Sequence, residues 1–197
     1  KRLIGVGPIS GQFKVYGDAD PTLTYTVEEL GLAPGDSFTG ELSRFSGEAV
    51  GFYEIRLGTL AINDGNGGNN YNLWFGCEVE FEIRAKHITG SFTADDKVYD
   101  GTTAATVSSR SLNGVLAGDD VTLIGSATFS DRNVGEGKTV TLTGASLSGS
   151  DAGNYILDSV AITNADINKR LIGVGPISGQ FKVYGEADPP LTYKVEE

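Results

Sequence analysis

The chain is written in short runs of alternating apolar and polar residues, broken by glycine-containing turns. Cys77-Glu78-Val79-Glu80-Phe81-Glu82-Ile83-Arg84 alternates with a period of two, the pattern of a strand with one buried face. Phe52-Tyr53-Glu54-Ile55-Arg56-Leu57 and Asp120-Val121-Thr122-Leu123-Ile124 follow the same rule. Lys138-Thr139-Val140-Thr141-Leu142-Thr143 does so with β-branched residues, which are stiff at χ1 and fit a pleated surface. Between these runs, Gly-Asp, Gly-Asn and Asn-Gly steps supply the positive φ that tight turns require. Helical patterning is confined to 27–32 and 108–116, each followed by a Gly-Asp step. Neither exceeds about two turns.

A repeat organises these elements. Residues 1–29 return as residues 169–197 with three changes, Asp18/Glu186, Thr22/Pro190 and Thr26/Lys194. Inside that period of 168 residues lies a fainter one. Lys14-Val15-Tyr16-Gly17 is echoed by Lys97-Val98-Tyr99-Asp100-Gly101, and Gly35-Asp36 by Gly118-Asp119, both 83 residues on. Val50-Gly51 and Asn70-Tyr71 find Val134-Gly135 and Asn154-Tyr155 at an offset of 84. Four landmarks in one order predict an array of two alternating module types, 1–85 and 86–168, with 169–197 the first third of another. Each module is expected to hold five or six strands and at most one short helix. The fold class is therefore mostly β: tandem small modules, each β-grasp-like, with an immunoglobulin-like β-sandwich as the alternative.

The joints, Ile83-Arg84-Ala85-Lys86-His87-Ile88 and Ile167-Asn168-Lys169-Arg170-Leu171-Ile172, contain no Gly/Ser tract. One strand should run almost directly into the next, which restricts swivel where a Gly/Ser linker would behave as a coil. A semi-rigid rod follows from that reading. The strand pair in 169–197 would lack sheet partners, so residues 171–195 are expected to pack on a neighbouring molecule or on the second module.

Composition narrows the function. Lys+Arg number 15 against 26 Asp+Glu, a net charge of −11. Nucleic acid binding needs a cationic face, so it is not expected. The acidity is shared: six basic against twelve acidic residues in 1–85, and five against ten in 86–168. Neighbouring modules should repel weakly, an effect modest at physiological salt because screening acts over ~8 Å. No apolar run approaches the ~18–20 residues of a membrane span, and no signal peptide is visible. Cys77 is the only cysteine of the 197 residues, so an internal disulfide and cysteine-based metal knuckles are excluded.

The motif strings carry a family likeness. Residues 14–75 contain YGxADPxLTYxV, GLxxGD, GELS, VGxYxI, GTL and NYNLxF, a series that resembles the MBG domain of the YGX type. Residues 97–167 contain KVYDGTTAATV, GDD, NVGxGKTVT and LSGxDAGNYxL, and are similar to the YDG domain of the same bacterial surface proteins. Such domains occur in tandem in large adhesins and filamentous-haemagglutinin-like exoproteins. The resemblance implies a secreted, cell-surface stalk built for cell adhesion. The letters YDG also name a methylated-DNA-reading domain, which the acidic charge rejects.

Candidate chemistry is sparse. Tyr16, Tyr99 and Tyr184 follow Val and precede Gly17, Asp100-Gly101 or Gly185, so each reads as a half-buried ring closing a turn. Tyr71 and Tyr155 head strands, where a ring can pack and its hydroxyl can bond the backbone. Gly135-Glu136-Gly137-Lys138-Thr139 resembles the end of a phosphate-binding loop, but Arg132 stands where the earlier glycine is required. Gly5-Val6-Gly7-Pro8-Ile9-Ser10-Gly11 places its third glycine one position late for a dinucleotide turn. The single histidine, His87, sits at a joint, and Asp95-Asp96 and Asp119-Asp120 are chain neighbours that point to opposite faces of an extended strand. No catalytic residue and no cofactor are therefore expected. Calcium is the one metal to weigh, at Asp64, Asn66 and Asn69 in the polar loop 63–70. Trp74 and Phe75 are the first candidates for a host glycan or protein, the alternative to a spacer role.

Overall fold

The computed structural model describes every residue except Glu29, Leu30, Cys77 and Glu197, and gives Glu28 as backbone only. The protein is mostly β, in several small sheets. In the first module the strands are β1 (Arg2–Pro8), β2 (Phe13–Val15), β3 (Tyr25–Glu28), β4 (Ser37–Thr39), β5 (Ser43–Arg44), β6 (Gly51–Arg56), β7 (Ala61–Asn63), β8 (Tyr71–Phe75) and β9 (Glu80–Arg84). The second contributes β10 (Lys86–Ala94), β11 (Lys97–Val98), β12 (Ala104–Ala105), β13 (Val107–Asn113), β14 (Thr122–Phe129), β15 (Gly135–Ser148), β16 (Tyr155–Val160) and β17 (Thr163–Asn168). A terminal hairpin consists of β18 (Gly173–Pro176) and β19 (Tyr193–Glu196).

Sheet order in the first module is β3-β1-β8, β2-β9-β6-β5 and β4-β7. In the second it is β13-β10-β16 and β11-β17-β15-β14-β12. The two share a plan. Strand β1 runs parallel to β8 from the pair Arg2↔Tyr71, and β10 runs parallel to β16 from Lys86↔Tyr155. Lys14↔Ile83 in β2-β9 recurs as Lys97↔Ile167 in β11-β17.

Period-two patterning becomes burial directly. In β9, Phe81 and Ile83 face the core while Glu80 and Arg84 face solvent. They pack with Ile4 and Val6 of β1, Ile55 of β6 and Ile62 of β7. Full burial of each such side chain contributes about 1.5–3 kcal/mol.

Helix is the one element type where sequence and structure part. Residues 108–113 lie in β13 rather than in a helix. Val27 and Glu28 end β3, Gly31 and Leu32 of that expected helix are irregular, and Glu29 and Leu30 lie outside the described residues. The only helical turn among the described residues is a 3-10 turn at Ala152–Asn154. Both misread segments have apolar spacing that also suits strands, and pairing decides the outcome: β3 is hydrogen-bonded to β1, and β13 to β10.

Two compact units can be described. The first comprises Lys1–Gly90, Ser111–Ile124 and Ser146–Val160, and so contains all of residues 1–85 with the part of the second module that meets them. The second comprises Ser91–Arg110, Gly125–Ala145 and Ala161–Glu197. At the first joint β9 ends at Arg84 and β10 begins at Lys86, leaving Ala85 alone between strands. The second joint differs. After β17 ends at Asn168, residues 169–172 are irregular, whereas Arg2 to Ile4 are drawn into β1 by pairing with Tyr71 to Leu73 of β8.

Within the single chain the terminal hairpin stays exposed, so of the two packings expected for residues 171–195 the one on the second module does not form. Its register, Gly173↔Glu196 to Pro176↔Tyr193, repeats that of β1 and β3, Gly5↔Glu28 to Pro8↔Tyr25. Yet Ile172 is 63 % exposed where Ile4 is fully buried, and Leu191 is 77 % exposed where Leu23 is 7 %.

Candidate functional site

The described residues bring the sequence's landmarks together at the first joint. Tyr71, at the head of β8, reaches back to a turn spanning Ala33 to Asp36. The Ala33 amide donates to its hydroxyl at 2.9 Å, and that hydroxyl donates to the Asp36 carboxylate. Tyr155, at the head of β16, does the same with the next turn. The Leu116 amide donates to its hydroxyl at 3.0 Å, and the hydroxyl donates to Asp119 at 2.5 Å. Within each turn, the aspartate amide bonds the carbonyl three residues back. The hydroxyl thereby ties a strand head to a distant loop through one donor and one acceptor.

In the second module this latch receives a guest. Tyr16, just past β2, donates its hydroxyl to the same Asp119 Oδ2 at 2.9 Å. Its ring meets Tyr155 edge-on at 5.4 Å between centroids, a favourable aromatic geometry. The hydrogen bond to Asp119, then burial, raise the Tyr16 pKa to about 12. Gly17 closes the turn at φ +86°, and a Cβ there would lie 2.4 Å from Leu116 Cδ1. The Val50 amide donates to Asn154 Oδ1 at 2.9 Å. Beside the joint, Val50, Phe52, Ile83 and Ile156 line an open groove of about 310 Å³, with His87 at its edge bonded to Asp158 at 2.6 Å.

The other singled-out residues are scattered. Tyr99 occupies the place of Tyr16: its amide bonds Asn168 as the Tyr16 amide bonds Arg84. Asp100 accepts from Lys97 Nζ, and from the Thr102 amide and hydroxyl, before Gly101 at φ +80°. The Lys97 contact, followed by Thr102, lowers the Asp100 pKa to about 2. Tyr184 is fully exposed rather than half-buried, and among the described residues its hydroxyl has no turn opposite it like the one at Asp119 that receives Tyr16.

In the loop 63–70, the Asp64 carboxylate is taken up by the loop itself, accepting the amides of Asn66, Gly68 and Asn70 at 2.7–3.0 Å. Burial works to raise its pKa, but those amides outweigh it and hold the carboxyl below its usual range. The Asn69 side-chain amide donates to the Asn66 carbonyl, and that of Asn66 to Asn70. Among the described residues no group of three His, Cys, Asp or Glu side chains could hold a metal. Trp74 and Phe75 are adjacent in β8 and so face opposite ways: Trp74 is 54 % exposed, whereas Phe75 packs on the core.

Sequence reading missed Leu116 and Asn154 as contacts, although the constant offsets had marked Asn154. It also missed a charge ring. Lys14 and Arg44, both buried, share Asp20 and Glu48: Lys14 and Arg44 each reach Asp20 at 2.7 Å, Arg44 reaches Glu48 at 2.7 Å, and Lys14 also pairs with Glu48. Lys14 and Glu48 lie 34 residues apart, and no local pattern brings Lys14 and Asp20 to Arg44 and Glu48.

Among the described residues no helix is long and apolar enough to cross a membrane. No curated protein and no solved structure matches the chain. Two domain families do: the MBG domain (YGX type) over residues 6–76 and the YDG domain over residues 85–163. These are the two families whose motif strings the sequence carries, and the joint described above lies where one match gives way to the other. Residues 6–76 are thus an MBG domain of the YGX type and residues 85–163 a YDG domain.

Proposed function

We propose that the chain is a non-catalytic repeat segment of a bacterial cell-surface adhesin, a semi-rigid stalk that holds a binding domain away from the cell. The observation that carries this reading is the first joint. One residue, Ala85, separates β9 from β10, and Tyr16, Gly17 and Val50 of one domain meet Asp119, Leu116 and Asn154 of the next. A joint closed by side chains on both sides resists swivel, which suits a part whose task is reach. Near-verbatim recurrence of 26 of 29 residues suits the same task. In this reading the partners are neighbouring domains of the same chain; nucleic acid, membrane insertion and a cofactor play no part, and the location is extracellular. Residual dipolar couplings test it: both domains of a stalk report one alignment tensor at low and at high salt, and two independent tensors overturn the reading.

A second reading has one observation in its favour. Trp74 presents an exposed aromatic surface on β8 beside Gly5, the kind of platform on which a sugar ring stacks. Binding on a host-glycan array that disappears in Trp74→Ala makes the domains themselves the adhesive part. Binding indifferent to that substitution removes Trp74 as the platform.

A further inference from the structure

The first joint uses seven side-chain or backbone positions, and every one has a counterpart in the other domain type. At an offset of 83, Tyr16, Gly17, Ala33 and Asp36 correspond to Tyr99, Asp100, Leu116 and Asp119. At an offset of 84, Val50, Asn70 and Tyr71 correspond to Val134, Asn154 and Tyr155. The counterparts are also alike in structure. The Tyr71 latch on Asp36 and Ala33 matches the Tyr155 latch on Asp119 and Leu116. The Tyr99 and Tyr16 turns have the same backbone bond to the last strand of their domain. The two latches differ in occupancy: among the described residues Asp119 accepts two tyrosine hydroxyls, whereas Asp36 accepts that of Tyr71.

We propose that this joint is a reusable connector, and that the Tyr99 turn and Val134 of a YDG domain dock on the Ala33 to Asp36 turn, Asn70 and Tyr71 of the MBG domain placed directly after it in the same chain. The Tyr99 hydroxyl donates to the Asp36-type carboxylate beside the Tyr71-type hydroxyl. The Val134 amide donates to the Asn70-type side chain, as the Val50 amide does to Asn154.

The two donor turns differ by one residue. Where Tyr16 docks, Gly17 at φ +86° follows it directly and lies under the branched side chain of Leu116. In the YDG turn the left-handed glycine is Gly101 at φ +80°, one position later, and the intervening Asp100 is turned onto Lys97 and Thr102. The acceptor position equivalent to Leu116 is Ala33, so the longer donor turn meets the smaller acceptor residue, as close packing requires. The same matching favours an MBG donor turn on a YDG acceptor and a YDG donor turn on an MBG acceptor.

The test extends the whole chain after Glu197 by a second copy of residues 30–168, completing a following MBG and YDG domain. Spin labels are attached through an unnatural amino acid on exposed positions of the second and third domains, and their separation is measured by pulsed electron resonance. The unmodified fusion should give one narrow distance distribution, as wide as that across the first joint. Tyr99→Phe and, separately, Val134→Pro should each at least double its width, with circular dichroism unchanged. Ala33→Leu in the added copy should broaden it too, and deletion of Asp100 should restore it by bringing the left-handed glycine directly after Tyr99, as Gly17 follows Tyr16 in the first joint. A broad distribution in the unmodified fusion overturns the proposal, as does a narrow one indifferent to Tyr99→Phe. Failure of the Asp100 deletion to rescue Ala33→Leu overturns the size matching. A narrow joint in a protein with no surface role leaves the connector standing and fails the stalk reading alone.

Discussion

The hydroxyl of Tyr71 or Tyr155 satisfies a backbone amide and a carboxylate at once, in surroundings where the ring is almost fully buried. Phe in its place keeps the apolar contact but leaves a loop amide without its acceptor. Tyr71→Phe and Tyr155→Phe should each cost about 1–3 kcal/mol in urea unfolding. Tyr16→Phe removes one of two donors to Asp119 and strands no amide, so its cost should stay at or below about 1 kcal/mol. Tyr16 also gives the joint a pH signature. Its pKa is raised to about 12, chiefly by the hydrogen bond to Asp119. A group whose folded pKa lies above its unfolded value contributes stability below the unfolded value and loses it as pH rises through the folded one. The Tyr16 contribution should therefore be constant up to about pH 10 and vanish by about pH 12. Ultraviolet titration should show late-ionising tyrosinate absorbance, and Tyr16→Phe should remove part of it. Ionisation of every tyrosine near its usual value would refute the Asp119 contact.

At the scale of elements, the Lys14, Asp20, Arg44 and Glu48 ring fastens β2 and β5 to the loops at 20 and 48. Both cations are buried, whereas both carboxylates are open to water. Removal is therefore asymmetric. Lys14→Met leaves carboxylates that water can solvate and Arg44 can still pair, so it should change stability by no more than about 1 kcal/mol. Asp20→Asn with Glu48→Gln strands two buried cations and should cost about 3–5 kcal/mol. Contact with Arg44 lowers the Asp20 pKa, and contact with Lys14 lowers that of Glu48. The stability they confer is thus complete above the ordinary carboxylate range and is lost as pH falls through the lowered values. Denaturation melts at pH 7 and pH 3 should show the double variant losing most of its deficit at the lower pH.

For the whole molecule, the repeat supplies a paired experiment within one chain. Leu23 and Leu191 occupy equivalent places in sequences that match at 26 of 29 positions. Only Leu23 lies in a core. Leu23→Asp buries a charge and should prevent the first domain from folding, whereas Leu191→Asp should alter the melting profile by less than about 0.5 kcal/mol equivalent. Calorimetry on the two variants decides it. An equal effect of both substitutions would show that the terminal hairpin is packed in solution.

The strands of this protein were legible because period-two alternation states which side chains must leave water. The hairpin of 173–196 shows how far that goes. The register of β1 and β3 recurs, and so does the clamp in which Gln12 or Gln180 holds Thr24 or Thr192, because turn geometry and neighbouring residues suffice to set both. The two short apolar runs misread as helices failed for a related reason, since a few residues fit either period until pairing chooses. Likewise Lys14 becomes a buried ion and Lys182 does not, although each pairs with the aspartate six residues on. Arg44 and Glu48 come from another part of the chain. Local chemistry determined strands, turns and the repeat. Only the tertiary structure decided which apolar faces are buried, that Tyr16 meets Asp119 across 103 residues, and that four landmarks spaced along the chain form one joint. Burial and long-range hydrogen bonds depend on what the remainder of a domain brings opposite a segment, and no segment carries that information in its own pattern.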